Sequence, residues 1–466
     1  MSARYGGLME LAARGKKDVF FTANPQISFF HSIYTCAAPF TKEIYETKPT
    51  NIPEWGKWVD FDIEHRGDIV KYFYLRIQLP SWLPPAAVAA NQNGLVSDKY
   101  GVTYGWCNNI GYQMIKKIQV FQDQVLVHES YGEYMDWRLR QSYSLAKTYI
   151  TGSEIGAREE TPLALGRSAS PRLLRVPIPF LGWQHLDDPG FPTAALRDQR
   201  YRIRIHLQPL QSVVMASDGR LYPEPWGGKT LRIQTTPGGP YNYSEKTLPV
   251  EVMKDLGITL ETTQFYLPPD VITWMKAQTI RFPYFDVKFN QFTIEDNQMT
   301  AAANGSTVSL PFNIDFDGSI ERMLIGFRTA ANNAAGDRTN LTSPAGGALA
   351  STLRLNIANI NRIQENPVSF AREFTAYWKN ARLALNQVDY KKPLELYTLT
   401  FGGFDDGQPQ GTVNFTRAVL PVLYVIPAAV PYDRRNVSRQ TIAYIYGESW
   451  NIWEISGGRG KAMLDD

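Results

Sequence analysis

Short runs of alternating apolar and polar residues, cut at close intervals by Gly, Pro or Asn, recur along this chain. Trp58-Val59-Asp60-Phe61-Asp62-Ile63 is one, Tyr201-Arg202-Ile203-Arg204-Ile205-His206-Leu207 another, and Ile69 to Pro80 and Gly257 to Leu267 are longer examples. A period of two marks strands with one covered face. About sixteen such segments fall into two halves that repeat one order, which fits two antiparallel sandwiches packed side by side. The chain is therefore read as all-β.

Length and composition agree. At 466 residues the chain exceeds one ordinary domain and suits two. Aromatic residues make up 13%, beside 35 Gly and 30 Pro, so large apolar side chains occur together with many turn formers. That balance favours sheets over helices. A net charge of +3, with Lys and Arg scattered, gives no footprint for specific nucleic-acid binding. Cys36 and Cys107 cannot build a disulfide framework, and no Cys-x-x-Cys pair is present for zinc. Residues 1–20 lack the apolar core of a signal peptide, and no run of 18 apolar residues occurs, so a cytosol-like compartment is expected. Sequons at Asn242, Asn304, Asn340, Asn414 and Asn436 then read as chance matches.

The chain opens with an arm, residues 1–25. Leu8, Leu11 and Ala12 recur at helical spacing, and Arg14, Lys16 and Lys17 follow where cations suit a helix C-terminus. Asn24-Pro25 ends that helix and a strand begins at Gln26. The first sandwich is expected over 26–267, a linker helix over 268–277 behind Pro268-Pro269-Asp270, and the second sandwich over 278–466. Stretches 81–104, 151–172, 216–250 and 330–350 are rich in Gly, Pro or Ala and without alternation. They read as exposed loops, the last as a flexible tower.

Several short motifs resemble, in order, those of the major capsid proteins of nucleocytoplasmic large DNA viruses, the double jelly-roll family. They are the Gly6–Phe40 opening with Asn24-Pro25-Gln26-Ile27; Trp106 to Gly111 with Asn108-Asn109; Tyr131-Gly132-Glu133; Val176 to Phe180 followed by Asp188-Pro189-Gly190; Gly411 to Arg417 around Asn414-Phe415; and the ending Gly457-Gly458-Arg459-Gly460. Asp188 stands where the family usually has Asn. The pattern is most similar to the marseillevirus-like branch. The resemblance implies two consecutive eight-stranded antiparallel jelly-roll sandwiches with a short N-terminal helical arm. It further implies a homotrimer forming a pseudo-hexagonal capsomer of an icosahedral shell, assembled in the host cytoplasm. Partners would be neighbouring capsomers, minor capsid and penton proteins, and an inner membrane beneath the shell. Leu8, Leu11, Arg14, Lys16 and Lys17 would be the arm's contacts with shell partners, since a helix this short orders only against something else.

Catalytic chemistry finds little footing. His31, His65, His128, His185 and His206 lie on separate segments with no metal-binding spacing, and no cofactor fingerprint is present. Gly457-Gly458-Arg459-Gly460-Lys461 lacks the spacing and following helix of a phosphate loop and reads as a turn. Asp60, Asp62 and Glu64 share one strand face, which leaves an alternative: a carbohydrate-binding or glycoside-hydrolase-like double sandwich. No second acidic group is placed opposite them by the sequence, so a non-enzymatic shell protein is the expected reading.

Overall fold

The computed structural model describes residues 39–80, 96–98, 100–142, 145–170, 172–181, 190–197, 199–223, 230–234, 243–247, 256–343, 346–368, 395–402, 411–431 and 438–463. The chain divides into two compact units, Met1–Phe40 and Thr41–Asp466.

The first half supplies strands β1 (Thr41–Thr47), β2 (Trp58–Ile63), β3 (Ile69–Leu79), β4 (Ile115–Gln122), β5 (Val125–Ser130), β6 (Arg172–Pro177), β7 (Tyr201–Leu207) and β8 (Gly257–Tyr266). They form two four-stranded antiparallel sheets, ordered β1-β8-β3-β6 and β2-β7-β4-β5. Pro269–Ala277 then makes a helix with Pro at its start, where the missing N–H costs nothing. The second half supplies β9 (Ile280–Ile294), β10 (Leu310–Asn313), β11 (Ser319–Thr329), β12 (Ala350–Ile357), β13 (Ile360–Pro367), β14 (Leu396–Thr400), β15 (Val422–Pro427) and β16 (Thr441–Ser456). Its sheets are ordered β9-β16-β11-β14 and β10-β15-β12-β13, with two short strands, Val413–Asn414 and Arg459–Ala462, added to the first. Adding eight to every strand number of the first sandwich gives the second. The chain is a double jelly roll, the same winding executed twice.

Alternation does the expected work in β7, where Tyr201, Ile203, Ile205 and Leu207 are buried and Arg202, Arg204 and His206 face outward. In β3 the register slips opposite Thr262 and Thr263, and Tyr72 takes φ 57°, an added residue that bends the strand and re-aims Phe73, Leu75, Ile77 and Leu79 at the core. Strands β11 and β16 do not alternate: from Arg322 to Thr329 and from Ala443 to Ser449 every residue is buried. One face of their sheet closes the second core through Ile320, Met323, Ile325, Phe327 and Ile445. The other face belongs to the first sandwich's cluster, which takes in Leu324, Tyr444, Tyr446, Phe282, Tyr284 and Trp453. A sheet covered on both faces needs apolar residues at odd and even positions alike.

Each of the four expected loop stretches holds some helix or strand. Within 151–172 the chain forms the end of a helix, Leu145–Ile155, and a second helix, Pro162–Ser168, whose Thr161 hydroxyl accepts from the Ala164 N–H. Within 330–350 a short helix, Ala330–Ala334, leads into a segment with Leu341, Ser343 and Leu349 buried, so this is no free tower. Stretch 216–250 contains the antiparallel pair Thr230–Gln234 and Tyr243–Thr247, and Val96–Asp98 joins it.

Candidate functional site: the seam between the sandwiches

Immediately after β5 the chain turns into a helix, Gly132–Ser142, lodged between the two sandwiches. Its entry needs glycine: a Cβ on Gly132 would lie 2.1 Å from the Tyr112 carbonyl and 2.3 Å from that of Ile115. A helix buried all round is normally apolar. This one buries Glu133, Asp136, Arg138 and Gln141, so each polar group must find a partner or carry a large desolvation cost.

The partners come from across the seam. Glu448 on β16 accepts from the Tyr134 hydroxyl at 2.6 Å and from Arg322 of β11 through Nε at 2.8 Å and Nη2 at 2.6 Å. Arg138 Nε lies 3.2 Å from the other oxygen of the same carboxylate. Glu133 receives Arg328 Nη1 at 2.6 Å and the Tyr446 hydroxyl at 3.4 Å. Arg328 is fully buried, stacks 4.5 Å over Tyr444, and donates to the Arg338 carbonyl. Burial, the largest single influence, would lower its pKa; Glu133 and Tyr444 together outweigh burial, and the net displacement is upward. Asp136 accepts from Asn109 at 2.6 Å, Gln113 at 3.0 Å and Arg140 at 2.9 Å, yet complete burial still raises its pKa. Burial, with Glu448 beside it, holds the Tyr134 phenol well above its ordinary range.

Two further groups of contacts cross the seam. Arg338 Nε donates to Gln113 Oε1 at 3.3 Å, Arg140 Nη1 to the Thr339 carbonyl at 3.4 Å, and the Tyr222 N–H to the Ala334 carbonyl at 2.6 Å, so the 330–343 segment is tied to the first sandwich. At one end the C-terminal hairpin docks: Gln122 Nε2 donates to the Gly460 carbonyl at 2.6 Å, the Gly460 N–H to Gln199 at 2.7 Å, and the Arg197 N–H to the Gly458 carbonyl at 2.7 Å. The glycine-rich ending is thus a turn that joins the halves. Such buried pairs add little net stability, but breaking one is costly, so they fix one relative placement of the two bodies.

The strand carboxylates do not form a catalytic pair. Asp60 takes a two-pronged contact from Arg204 at 2.7 and 2.8 Å, and Asp62 pairs with Arg202 at 2.8 Å, each directly opposite in the β2–β7 register. Of the histidines, His206 meets Gln119 at 2.9 Å, His65 lies 6.1 Å from the Tyr201 ring, and His128 is buried at the seam; His31 and His185 lie outside the described residues. Among the described residues no His, Cys, Asp and Glu group could hold a metal. Leu8, Leu11, Arg14, Lys16 and Lys17 also lie outside the described residues. Sequence reasoning missed the seam, though it left a signal: Arg322, Arg328 and Glu448 interrupt otherwise apolar strands, and charges inside a covered strand are buried only when paired.

A family model described as "Major capsid protein N-terminus" matches residues 28–227. The chain is 28% identical over 251 residues to the major capsid protein of Chrysochromulina ericina virus, covering 45% of this chain and 42% of that one. Over 130 residues it is 32% identical to probable capsid protein 4 of Acanthamoeba polyphaga mimivirus, covering 28% of this chain and 24% of that one. The matches thus span less than half the length of these relatives. Among solved structures, PBCV-1 VP54 superposes with a TM-score of 0.69 at 12% identity over 94% of this chain and all of the other. The Faustovirus major capsid protein gives 0.61 at 13% identity over 95% and 94%. At such identities the likeness is one of fold.

Proposed function

We propose that this chain, a relative in sequence and fold of the major capsid proteins of nucleocytoplasmic large DNA viruses, is the subunit from which an icosahedral viral shell is tiled. The observation that carries this reading is the repeated strand order together with the buried seam. Two near-equivalent wedges locked together through Tyr134–Glu448 and Arg328–Glu133 are what a tile needs if three copies are to present six similar edges. The role is structural, and the paired state of Asp60 and Asp62 speaks against the glycosidase alternative.

The finer reading is a homotrimeric capsomer contacting neighbouring capsomers, minor capsid and penton proteins, with assembly in the host cytoplasm over an inner membrane. Residues 1–25 serve as an arm and 268–277 as the linker between jelly rolls. Leu8, Leu11, Arg14, Lys16 and Lys17 make the arm's contacts. Light scattering on the purified protein is expected to give three times the chain mass; a folded monomer at micromolar concentration would sink the proposal. Deleting residues 1–20 should leave trimers folded and abolish shell assembly. If the truncated chain cannot fold, the arm belongs to the first sandwich instead.

A further inference from the structure

His128 sits on β5 where the first sandwich meets β9 of the second, and its side chain is fully buried. Neither ring nitrogen has a hydrogen-bond partner, and the hydroxyl of Ser130, two residues along on the same strand face, is also buried and unpaired. The nearest acceptor is Asp286 Oδ1 on β9, 3.6 Å from Nδ1, beyond hydrogen-bonding reach. That oxygen already receives the Glu129 backbone N–H at 2.8 Å, a bond from the backbone of β5 to a side chain of β9. The other Asp286 oxygen lies 3.1 Å from Lys288 Nζ, which also reaches Asp317 at 3.0 Å. Glu129 is directed elsewhere, to Lys117 at 3.2 Å and Gln119 at 2.6 Å. A neutral ring leaves one donor unmet at this joint. A protonated ring leaves two donors and a buried charge, facing a carboxylate that is already engaged.

We propose that His128 makes the seam acid-sensitive: protonating its ring loosens the contact between β5 and β9 and weakens the hold of one jelly roll on the other. Burial lowers its pKa, outweighing the opposing pull of Asp286 and Glu129, while Lys288 adds to the lowering. In the unfolded chain the ring titrates near its ordinary value of about 6.5. Below that value the unfolded or opened state binds the proton more readily than the closed one, so closure is favoured above about pH 6.5 and loses ground as pH falls toward the depressed folded value. The effect is a property of the single chain and does not rest on its assembly role.

Hydrogen-exchange mass spectrometry of residues 125–130 and 280–294 at pH 7.5 and pH 5.0, corrected for the intrinsic pH dependence of exchange, tests this. The unmodified protein should show opening at these two strands increased severalfold at pH 5.0. His128→Leu, which cannot titrate, should change less than twofold. Equal responses in both proteins, or none in the unmodified one, would overturn the proposal. Should His128→Leu fail to fold, exchange of the His128 C2 proton in the unmodified protein reads the titration directly. A midpoint below the ordinary value supports the switch, and one at or above it refutes it.

Discussion

Glu448 is where the seam can be broken with least ambiguity. Its side chain is 4% exposed and those of Arg322 and Arg138 are 7% and 8%, so three charged groups share a site nearly free of solvent. In Glu448→Leu both guanidiniums lose their carboxylate, and the Tyr134 hydroxyl loses its acceptor. Stranding buried cations in this way costs roughly 3–5 kcal/mol. For a cooperative unit of about 200 residues, each kcal/mol moves the midpoint by about 2–4 °C, so thermal unfolding should start on the order of 10 °C earlier. The compensated variant is the sharper test. Glu448→Leu with Arg322→Met and Arg138→Met removes all three charges at similar volume, and replacing a complete buried ion network is about neutral or stabilising by roughly 1–4 kcal/mol. Differential scanning calorimetry on the parent, single and triple variants should therefore place the triple at or above the parent and the single well below both. A single variant within about 1 kcal/mol of the parent, or a triple less stable than the single, would refute the argument that the charges fix placement rather than add stability.

Gly326→Ala would set a Cβ 2.5 Å from Trp137 Cη2, so a loss of about 1–3 kcal/mol is expected in thermal unfolding, with partial recovery when Trp137→Leu is added. Asp60→Ala removes a two-pronged partner of Arg204 from a site where the Asp60 side chain is 11% exposed; urea unfolding should show a loss of about 1–3 kcal/mol, and no change would mean the pair is solvent-screened. The Cys107 thiol is buried and pushed up to about 12, chiefly by burial, so peptide mapping after alkylation at pH 8 should find it unmodified in native protein and modified in denaturant.

The strands were legible because β2, β3 and β7 show their inward residues every second position, and β7 matches its burial residue for residue. The jelly-roll winding was not legible from periodicity; it came with the family resemblance, because alternation says nothing about which strand lies beside which. The helices after β5 were missed for opposite reasons. Gly132–Ser142 is too polar to look buried, whereas Thr161-Pro162 carried a cap and a first-turn proline that compositional reading passed over. The 330–350 stretch looked like a loop because Ala, Asn and Gly are turn formers. They are also small, and small residues are what allow a segment to fit against a second body, as Gly336 does, where an added Cβ would lie 2.1 Å from the Val214 carbonyl. The seam's pairings could not be read because its partners are separated by up to 338 positions, the distance between Gln122 and Gly460.

The contact between Arg328 and Glu133, doubled by Nη1 at 2.6 Å and Nη2 at 3.3 Å, has a mechanical side. Greasy surfaces in contact can slip past one another by small amounts at little cost, since attraction between apolar groups has no preferred direction. A guanidinium held by two of its nitrogens on the two oxygens of a carboxylate tolerates neither slip nor twist. Under load the two jelly rolls resist without creep until the pairs part, and then give way at once. Deformation must therefore be taken up outside the seam, and on the microsecond-to-millisecond scale of domain hinges the unit behaves as one stiff block.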